Sequence, residues 1–313
     1  MGAPVVELRG VQKRFGGRTV LENLSFAIAP GEAVGYLGPN GAGKSTTLRL
    51  LSGLLAPDRG EVRLGGFDPI ADRTRALAGV GALVETPALP PYLTPRDLLG
   101  HVARLRGFSG PSAAAAAARA GARLGIAPSL DRPYGALSTG LQRRALLAAA
   151  AVGEPPLLLL DEPTLGLDPA ARGDLRRLLR AVADSGTTLF LSTHLLEDVE
   201  AVCDRVLFLK EGRLVGDEAV GSRRDPVGRR RRVDLTFAEE LPDPALALLA
   251  APDADCRRLS PRSVRVEFDG GSAAQAALVA RAVRAGLPLE SIGPAEGDLA
   301  RRYLERVGRE EAT

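Results

Sequence analysis

The sequence predicts an α/β protein, with buried parallel strands alternating with helices, a helical subdomain set into that core and a small α+β part at the C-terminal end. Three observations predict it. A glycine-rich run, Gly38 to Ser45, lies between a short apolar segment and a second apolar stretch, the strand–loop–helix arrangement of a phosphate-binding loop. Two further apolar runs, Leu157 to Leu160 and Thr188 to Leu191, stop in polar residues, as buried strands do where they leave a sheet. Residues 94–151, between the glycine-rich run and these two strands, carry helical spacing and none of the strand signals found on either side.

In chain order, Val5 to Leu8 and Leu24 to Ile28 read as strands on either side of a turn at Gly16-Gly17. Phe15 stands beside that turn. Aromatic residues make up only 4% of the chain, so this ring is either an ordinary core residue or a platform for a flat base such as adenine, a contact worth roughly 1 kcal/mol. Ala33 to Leu37 is short, apolar and bounded by glycine, as a buried strand should be.

The loop that follows reads Gly38, Pro39, Asn40, Gly41, Ala42, Gly43, Lys44, Ser45, with Thr46 after it. Gly38, Gly41 and Gly43 let the backbone curl with its N–H groups inward and place no Cβ in the way of a polyphosphate. Lys44 can reach the β- and γ-phosphates, the Ser45 hydroxyl can take a place on Mg²⁺, and the helix starting near Lys44 offers its N-terminal dipole. A glycine-rich turn that merely ends in Lys-Ser is the plain alternative, and the rest of the sequence argues against it.

Asp58-Arg59-Gly60 is a turn and Glu61 to Leu64 a short strand. Val80 to Val84 is another glycine-flanked apolar run, and it delivers Glu85 into a proline-rich loop, where a carboxylate is either functional or simply solvated. Pro95 to Arg106 places Leu98, Leu99, Val102 and Leu105 at helical spacing, and Ser112 to Leu124 is an alanine-rich helix. His101 falls inside the first of these and is incidental. In Leu137 to Arg144, Ser138 is placed to cap a helix through the alanines that follow. The Ser138-Thr139-Gly140 turn is therefore either a simple N-cap or an anion site built from exposed N–H groups.

Leu157 to Leu160 ends in Asp161-Glu162. Two carboxylates at the end of a buried strand are costly unless a cation or hydrogen bonds compensate them. Neighbouring strand residues point opposite ways, so the two divide the work: Asp161 suits a Mg²⁺ shell, Glu162 a water aligned on a γ-phosphate. Surface carboxylates capping a strand are the alternative. Gly166-Leu167-Asp168-Pro169 turns into a helix from about Ala170 to Ala183. Thr188 to Leu191 exits through Ser192-Thr193-His194, which sets His194 where a γ-phosphate contact is feasible, and Val206 to Leu209 with Arg213 to Val215 reads as a hairpin.

Composition narrows the class. The 313 residues suit one large or two medium domains, and 45% hydrophobic residues suffice for a substantial core. Against 38 acidic residues stand 41 basic ones, a formal charge of +3, which does not mark a nucleic-acid binder. Cys203 and Cys256 are too few for a disulfide framework and lack metal-ligand spacing. The N-terminus lacks an apolar signal core, and the longest apolar stretch, Ala145 to Leu160, is broken by Gly153, Glu154, Pro155 and Pro156, so no membrane crossing is expected.

Five motifs in this order and spacing, Gly38 to Thr46, Leu137 to Gln142, Leu157 to Glu162, Gly166 to Asp168 and His194, resemble those of the ATP-binding cassette ATPases across about Val5 to Glu218. The resemblance implies a P-loop NTPase core of the ABC type, with ATP and Mg²⁺ as ligands. It implies that Phe15 stacks on adenine and that Gly38 to Thr46 is the Walker A loop. Glu85 falls where the family usually has a Mg²⁺-sensing Gln, and Ser138-Thr139-Gly140 resembles the signature motif. Asp161 and Glu162 look like the Walker B pair, Gly166-Leu167-Asp168 like the D-loop and His194 like the switch histidine. Lys44, Glu162 and His194 would then be catalytic, with Ser45, Asp161 and Glu85 on the metal. Two departures stand out: Thr139 and Leu141 in the signature, and Glu85 for Gln, which adds a negative charge beside the nucleotide. Glu85 with Pro87 and Tyr92-Leu93-Thr94 looks like the bacitracin and lantibiotic self-resistance exporters.

In that family the signature completes the site of the opposite subunit. One motif set per chain therefore implies a homodimer with ATP sandwiched between copies. Separate transmembrane permease subunits would hold it at the cytoplasmic face of the membrane, where it powers efflux of a drug, antibiotic peptide or lipid-like substrate. The expected layout is an ATP-binding domain over 1–218 with its helical subdomain at 94–151, an Arg-rich linker over 219–232 and an accessory α+β domain over 233–313. In the linker, Arg223-Arg224 and Arg229 to Arg232 are either solvated or drawn to anionic lipid at roughly 1 kcal/mol per Arg. In the accessory part, Val233 to Phe237 and Val264 to Phe268 read as strands, and Pro244 to Ala250, Ala273 to Ala285 and Asp298 to Val307 as helices. The other readings are a soluble ABC-type regulatory or translation factor, whose relatives generally carry two cassettes or a coiled-coil insert, and a binding module with little turnover.

Overall fold

Val6, Leu8 and Val11 turn one face of the first strand into the core, and the chain builds outward from that strand and its partners. The structure, a computed structural model, describes residues 3–85, 87–220, 230–249, 254–269 and 272–294 together with Leu299, Tyr303 and Arg306. It divides into two units, Met1–Val220 with Glu305–Thr313, and Gly221–Leu304.

In the first unit β1 (Val6–Phe15) and β2 (Arg18–Ile28) form an antiparallel hairpin, and β4 (Arg59–Leu64) pairs with the other edge of β1. The hairpin runs further than the apolar pattern suggests. Asp58 explains the extension: it accepts from the Arg14 backbone N–H at 2.6 Å and from Lys13 Nζ at 3.0 Å, pinning a polar stretch that alone reads as a turn.

The main sheet comprises β3 (Ala33–Leu37), β5 (Val80–Leu83), β6 (Leu157–Asp161), β7 (Thr188–Thr193), β8 (Arg205–Lys210) and β9 (Arg213–Ala219), in the order β5-β6-β7-β3-β8-β9. It is parallel through β8, and β9 returns antiparallel. Residues of β3 are buried throughout, which fits a central strand covered on both faces. The rings of Phe26, Tyr36 and Phe190 meet with centroids 5.2–5.9 Å apart, and burying each such side chain stabilises by about 1.5–3 kcal/mol. The Tyr36 hydroxyl pairs with Thr47 at 3.1 Å, fixing β3 to α1 (Lys44–Leu51).

After the short α2 (Arg73–Leu77), the helical insertion holds α3 (Pro95–Leu105), α4 (Gly110–Arg123) and α5 (Thr139–Ala151), with two 3-10 turns and no strand. Thr94 starts α3 with a reciprocal cap: its hydroxyl accepts from the Asp97 N–H at 3.1 Å, and the Asp97 carboxylate accepts from the Thr94 N–H at 3.2 Å. His101 lies exposed on that helix. Two more helices, α6 (Pro169–Asp184) and α7 (Leu196–Val202), follow β6 and β7.

The second unit is an antiparallel sheet in the order β11-β12-β10-β13, made of β10 (Arg230–Phe237), β11 (Ala254–Ser260), β12 (Ser263–Asp269) and β13 (Leu289–Pro294). With it go α8 (Asp243–Leu249) and α9 (Ser272–Arg284); Leu278 and Ala282, one turn apart on α9, join Leu235, Phe237 and Val266 in its core. Two expectations are corrected. Arg230 to Arg232 belong to β10 and not to a linker, since the backbone there pairs with β12, Arg230 in register with Asp269 and Arg232 with Glu267. Arg306 groups with the first unit and not with residues 233–304: its guanidinium donates to Glu218 at 2.7 Å and to the Val215 carbonyl at 3.0 Å. Arg223-Arg224 and most of the helix expected over Asp298 to Val307 lie outside the described residues.

Candidate nucleotide site

Three adjacent strands, β6, β7 and β3, end at one level. Leu37 is in register with Thr193 and Asp161 with Ser192, so Glu162, His194 and Gly38 leave the sheet side by side. This is the carboxyl edge of the parallel strands, where open α/β sheets place their ligands.

Backbone geometry fixes the loop after β3. A Cβ on Gly38 would stand 2.3 Å from the Leu209 carbonyl oxygen. Gly43 has φ +108°, and a Cβ there would lie 2.6 Å from Leu21 Cδ2, so neither position admits a side chain without moving its neighbours. Gly43 opens α1 with no side-chain cap and no acidic residue in the first turn, which leaves the helix N-terminus suited to an anion. Lys44 is 6% exposed; its ammonium donates to the carbonyls of Gly38 at 2.6 Å and Pro39 at 3.1 Å and lies 3.5 Å from Glu162 Oε1. Asn40 and Gly41 are exposed, Ala42 is buried, and Pro39, Ser45 and Thr46 are half-buried along the same curl.

The acidic pair divides as strand geometry requires. Asp161 Oδ1 accepts from the Ser192 hydroxyl of the neighbouring strand. Glu162 takes the left-handed conformation, φ +44°, and its N–H donates to the Ser192 carbonyl at 3.1 Å. A positive φ is uncommon for a residue with a side chain and concentrates at functional positions. Both Glu162 oxygens lie 3.0 Å from His194 Nδ1. A carboxylate only accepts, so Nδ1–H is the donor in this pair. The arrangement can polarise a water at Glu162 beside a cation at Lys44.

The structure brings together Gly38 to Thr46, Asp161, Glu162 and His194. Other expected residues stand apart. Phe15 ends β1 with its ring 46% exposed and the Lys13 ammonium 5.4 Å from the centroid. Glu85, expected as a metal ligand, is turned to Arg49 of α1 at 3.0 Å and makes no hydrogen bond to Ser45 or Asp161 among the described residues. The guanidinium answers the charge that a carboxylate brings to this position. Ser138 caps α5 through the Leu141 N–H at 3.4 Å; Ser138 and Thr139 are exposed, and Gly140 packs on Ala171 of α6. Asp168 caps α6, accepting from the Ala171 N–H at 2.9 Å. Sequence reasoning missed Ser192, Thr193 and Asp198. Asp198 was legible in principle, since it lies three residues after Leu195 and four before Val202, on the apolar stripe of a helix.

A glycine-walled anion cradle on the strand beside an acidic pair defines the class, a P-loop nucleoside triphosphatase. The family model described as ABC transporter matches residues 21–165. Over 220 residues the chain is 40% identical to the Nod factor export ATP-binding protein I of Burkholderia orbicola (strain AU 1054), covering 70% of this chain and 72% of that one. It is 36% identical over 215 residues, 68% and 69% of the two chains, to an uncharacterized ABC transporter ATP-binding protein of Bacillus subtilis (strain 168). Among solved structures, an ATP-binding subunit of an ABC transporter superposes with TM-score 0.61 at 30% identity, over 69% of this chain and 90% of that one. A dimeric post-hydrolysis ATP-binding cassette bound to ADP and Pi gives TM-score 0.62 at 26% identity, over 69% and 99%. The chain belongs to the ATP-binding subunits of ABC transporters and is an ATP hydrolase of that type. No helix among the described residues is long and apolar enough to cross a membrane.

Proposed function

We propose that this subunit powers an exporter whose membrane-spanning parts are separate chains, working as a homodimer with ATP held between copies at the cytoplasmic face of the membrane. The observation that carries the reading is the meeting of Lys44, Glu162 and His194 at the ends of three adjacent strands. Lys44 and the α1 N-terminus bind the phosphates, and the glycine curl excludes side chains from them. Glu162 takes the proton of the attacking water, and His194, oriented by Glu162, steadies the γ-phosphate. Ser45 and Asp161 would hold Mg²⁺, which would supply positive charge to offset that of the phosphates. The exposed Ser138 and Thr139, with Gly140 behind them, face the partner copy's nucleotide. A relative named for Nod factor export supports the outward direction, and a dimeric cassette among the structural neighbours supports the dimer. The cargo belongs to the class of drugs, antibiotic peptides or lipid-like molecules. The second unit, from β10 onward, serves as an accessory domain.

The test is affinity purification of tagged Glu162→Gln protein from detergent-solubilised membranes with Mg-ATP present. Co-purification of a polytopic membrane protein is the expected result. Soluble protein that brings down ribosomes, nucleic acid or nothing would end the transport reading and leave the hydrolase.

A further inference from the structure

Asp198, on α7, is wholly buried, yet it lies outside the set of residues assigned to the site. A buried carboxylate is expensive, and an apolar residue of similar volume is often the more stable choice. Its three partners explain what it does. Oδ2 accepts from the Thr164 hydroxyl and, at 3.1 Å, from the Thr193 hydroxyl; Oδ1 accepts from Arg176 Nε at 2.6 Å. Thr164 follows Glu162 by two residues, and Thr193 immediately precedes His194. One carboxylate thus holds the backbone behind both members of the Glu162–His194 pair, while Arg176 on α6 balances its charge.

The loop is clamped on both sides of these contacts. The Thr193 hydroxyl also accepts from the Leu195 N–H at 3.0 Å, closing the turn that carries His194. The Leu165 N–H donates to the Glu162 carbonyl at 3.1 Å, closing the turn that carries Glu162. Each turn has its own short-range bond, so neither needs Asp198 to exist. The Glu162 N–H already ties the two segments by donating to the Ser192 carbonyl at 3.1 Å, and what Asp198 adds is a second tie between the turns, made through side chains further along each of them.

We propose that Asp198 is a positioning residue for hydrolysis, setting the Glu162 carboxylate against His194 through Thr164 and Thr193. This rests on the assignment of Glu162 and His194 above. A displacement of 1 Å at reacting groups can cost about 10²-fold in rate, so loosening one tie should act on turnover well before it acts on binding.

Replacing Asp198 itself also breaks its ion pair with Arg176, which would keep only Glu197 at 3.0 Å, so the threonines are the better probes. Steady-state ATP hydrolysis and nucleotide binding are measured for wild type, Thr164→Val, Thr164→Ser and Thr193→Val. Thr164→Val and Thr193→Val should each lower kcat roughly 10- to 100-fold with KM changed less than about threefold, and Thr164→Ser, which keeps the hydroxyl, should restore it. In a Glu162→Gln background Thr164→Val should cost less than about twofold more, because groups acting as a unit are not additive. If Thr164→Val does not fold, Thr193→Val carries the same comparison. A kcat within about threefold of wild type in the valine variants, or a full additional loss on top of Glu162→Gln, overturns the proposal. Near-normal turnover in Glu162→Gln alone instead overturns the assignment of Glu162.

Discussion

Glu162→Gln is the perturbation whose consequences the structure fixes most closely. The amide has the shape of the carboxylate and can still accept from His194 Nδ1, now 3.0 Å from both oxygens, so the histidine keeps its orientation. The charge is lost. Lys44 stands 3.5 Å from Oε1, a gross attraction of about 5 kcal/mol at an effective dielectric constant of 20, most of it offset by the cost of desolvating the pair. Neutralising Glu162 removes an anion that competes with phosphate for the ammonium, which keeps its bonds to the Gly38 and Pro39 carbonyls, so ATP affinity should hold or rise. Basicity goes with the charge, and loss of a general base typically costs 10²–10⁴-fold, about 2.7–5.4 kcal/mol of barrier. Phosphate release at saturating Mg-ATP and equilibrium dialysis with labelled ATP read the two effects separately. Turnover within about threefold of wild type would refute the base assignment, and weakened ATP binding would refute the charge argument.

Gly43→Ala places a methyl 2.6 Å from Leu21 Cδ2 at φ +108°, so urea unfolding should show a loss of about 1–3 kcal/mol together with weaker ATP binding. Asp168→Ala removes the cap from α6, and chemical denaturation should register about 1 kcal/mol of destabilisation, with an unchanged midpoint counting against the cap. The Asp97 carboxyl is held below the ordinary range, first by the Thr94 hydroxyl and then by the Thr94 backbone N–H. A depressed carboxyl contributes stability that is present above its unfolded value, near pH 4, and is lost as pH falls through the lower folded value. Unfolding midpoints measured from about pH 6 down to pH 2 should therefore fall less steeply in Asp97→Asn, and superimposable curves would remove Asp97 from the acid response.

What could be read from the sequence was local. Gly38 to Ser45 declares itself because the fold needs glycine at those positions for reasons of backbone shape, and the apolar runs before Asp161 and His194 declare themselves because both faces of their strands are covered. The missing parts depend on residues far apart in the chain. Nothing near Glu85 announces that Arg49, 36 residues earlier, answers its charge, and nothing near Lys13 announces Asp58. Asp198 is the sharpest case. A carboxylate on an apolar stripe is a conflict between pattern and chemistry, and its resolution lies 34 residues back at Thr164 and five back at Thr193. A conflict of that kind persists only where something other than stability is gained, because apolar packing is the cheaper solution for a buried position. On the proposal above, the gain is a held separation between two turns, one carrying Glu162 and the other His194. Local sequence signals therefore locate Glu162 and His194, and the buried charge that offends the local pattern is where the proposed control of their spacing has to be sought.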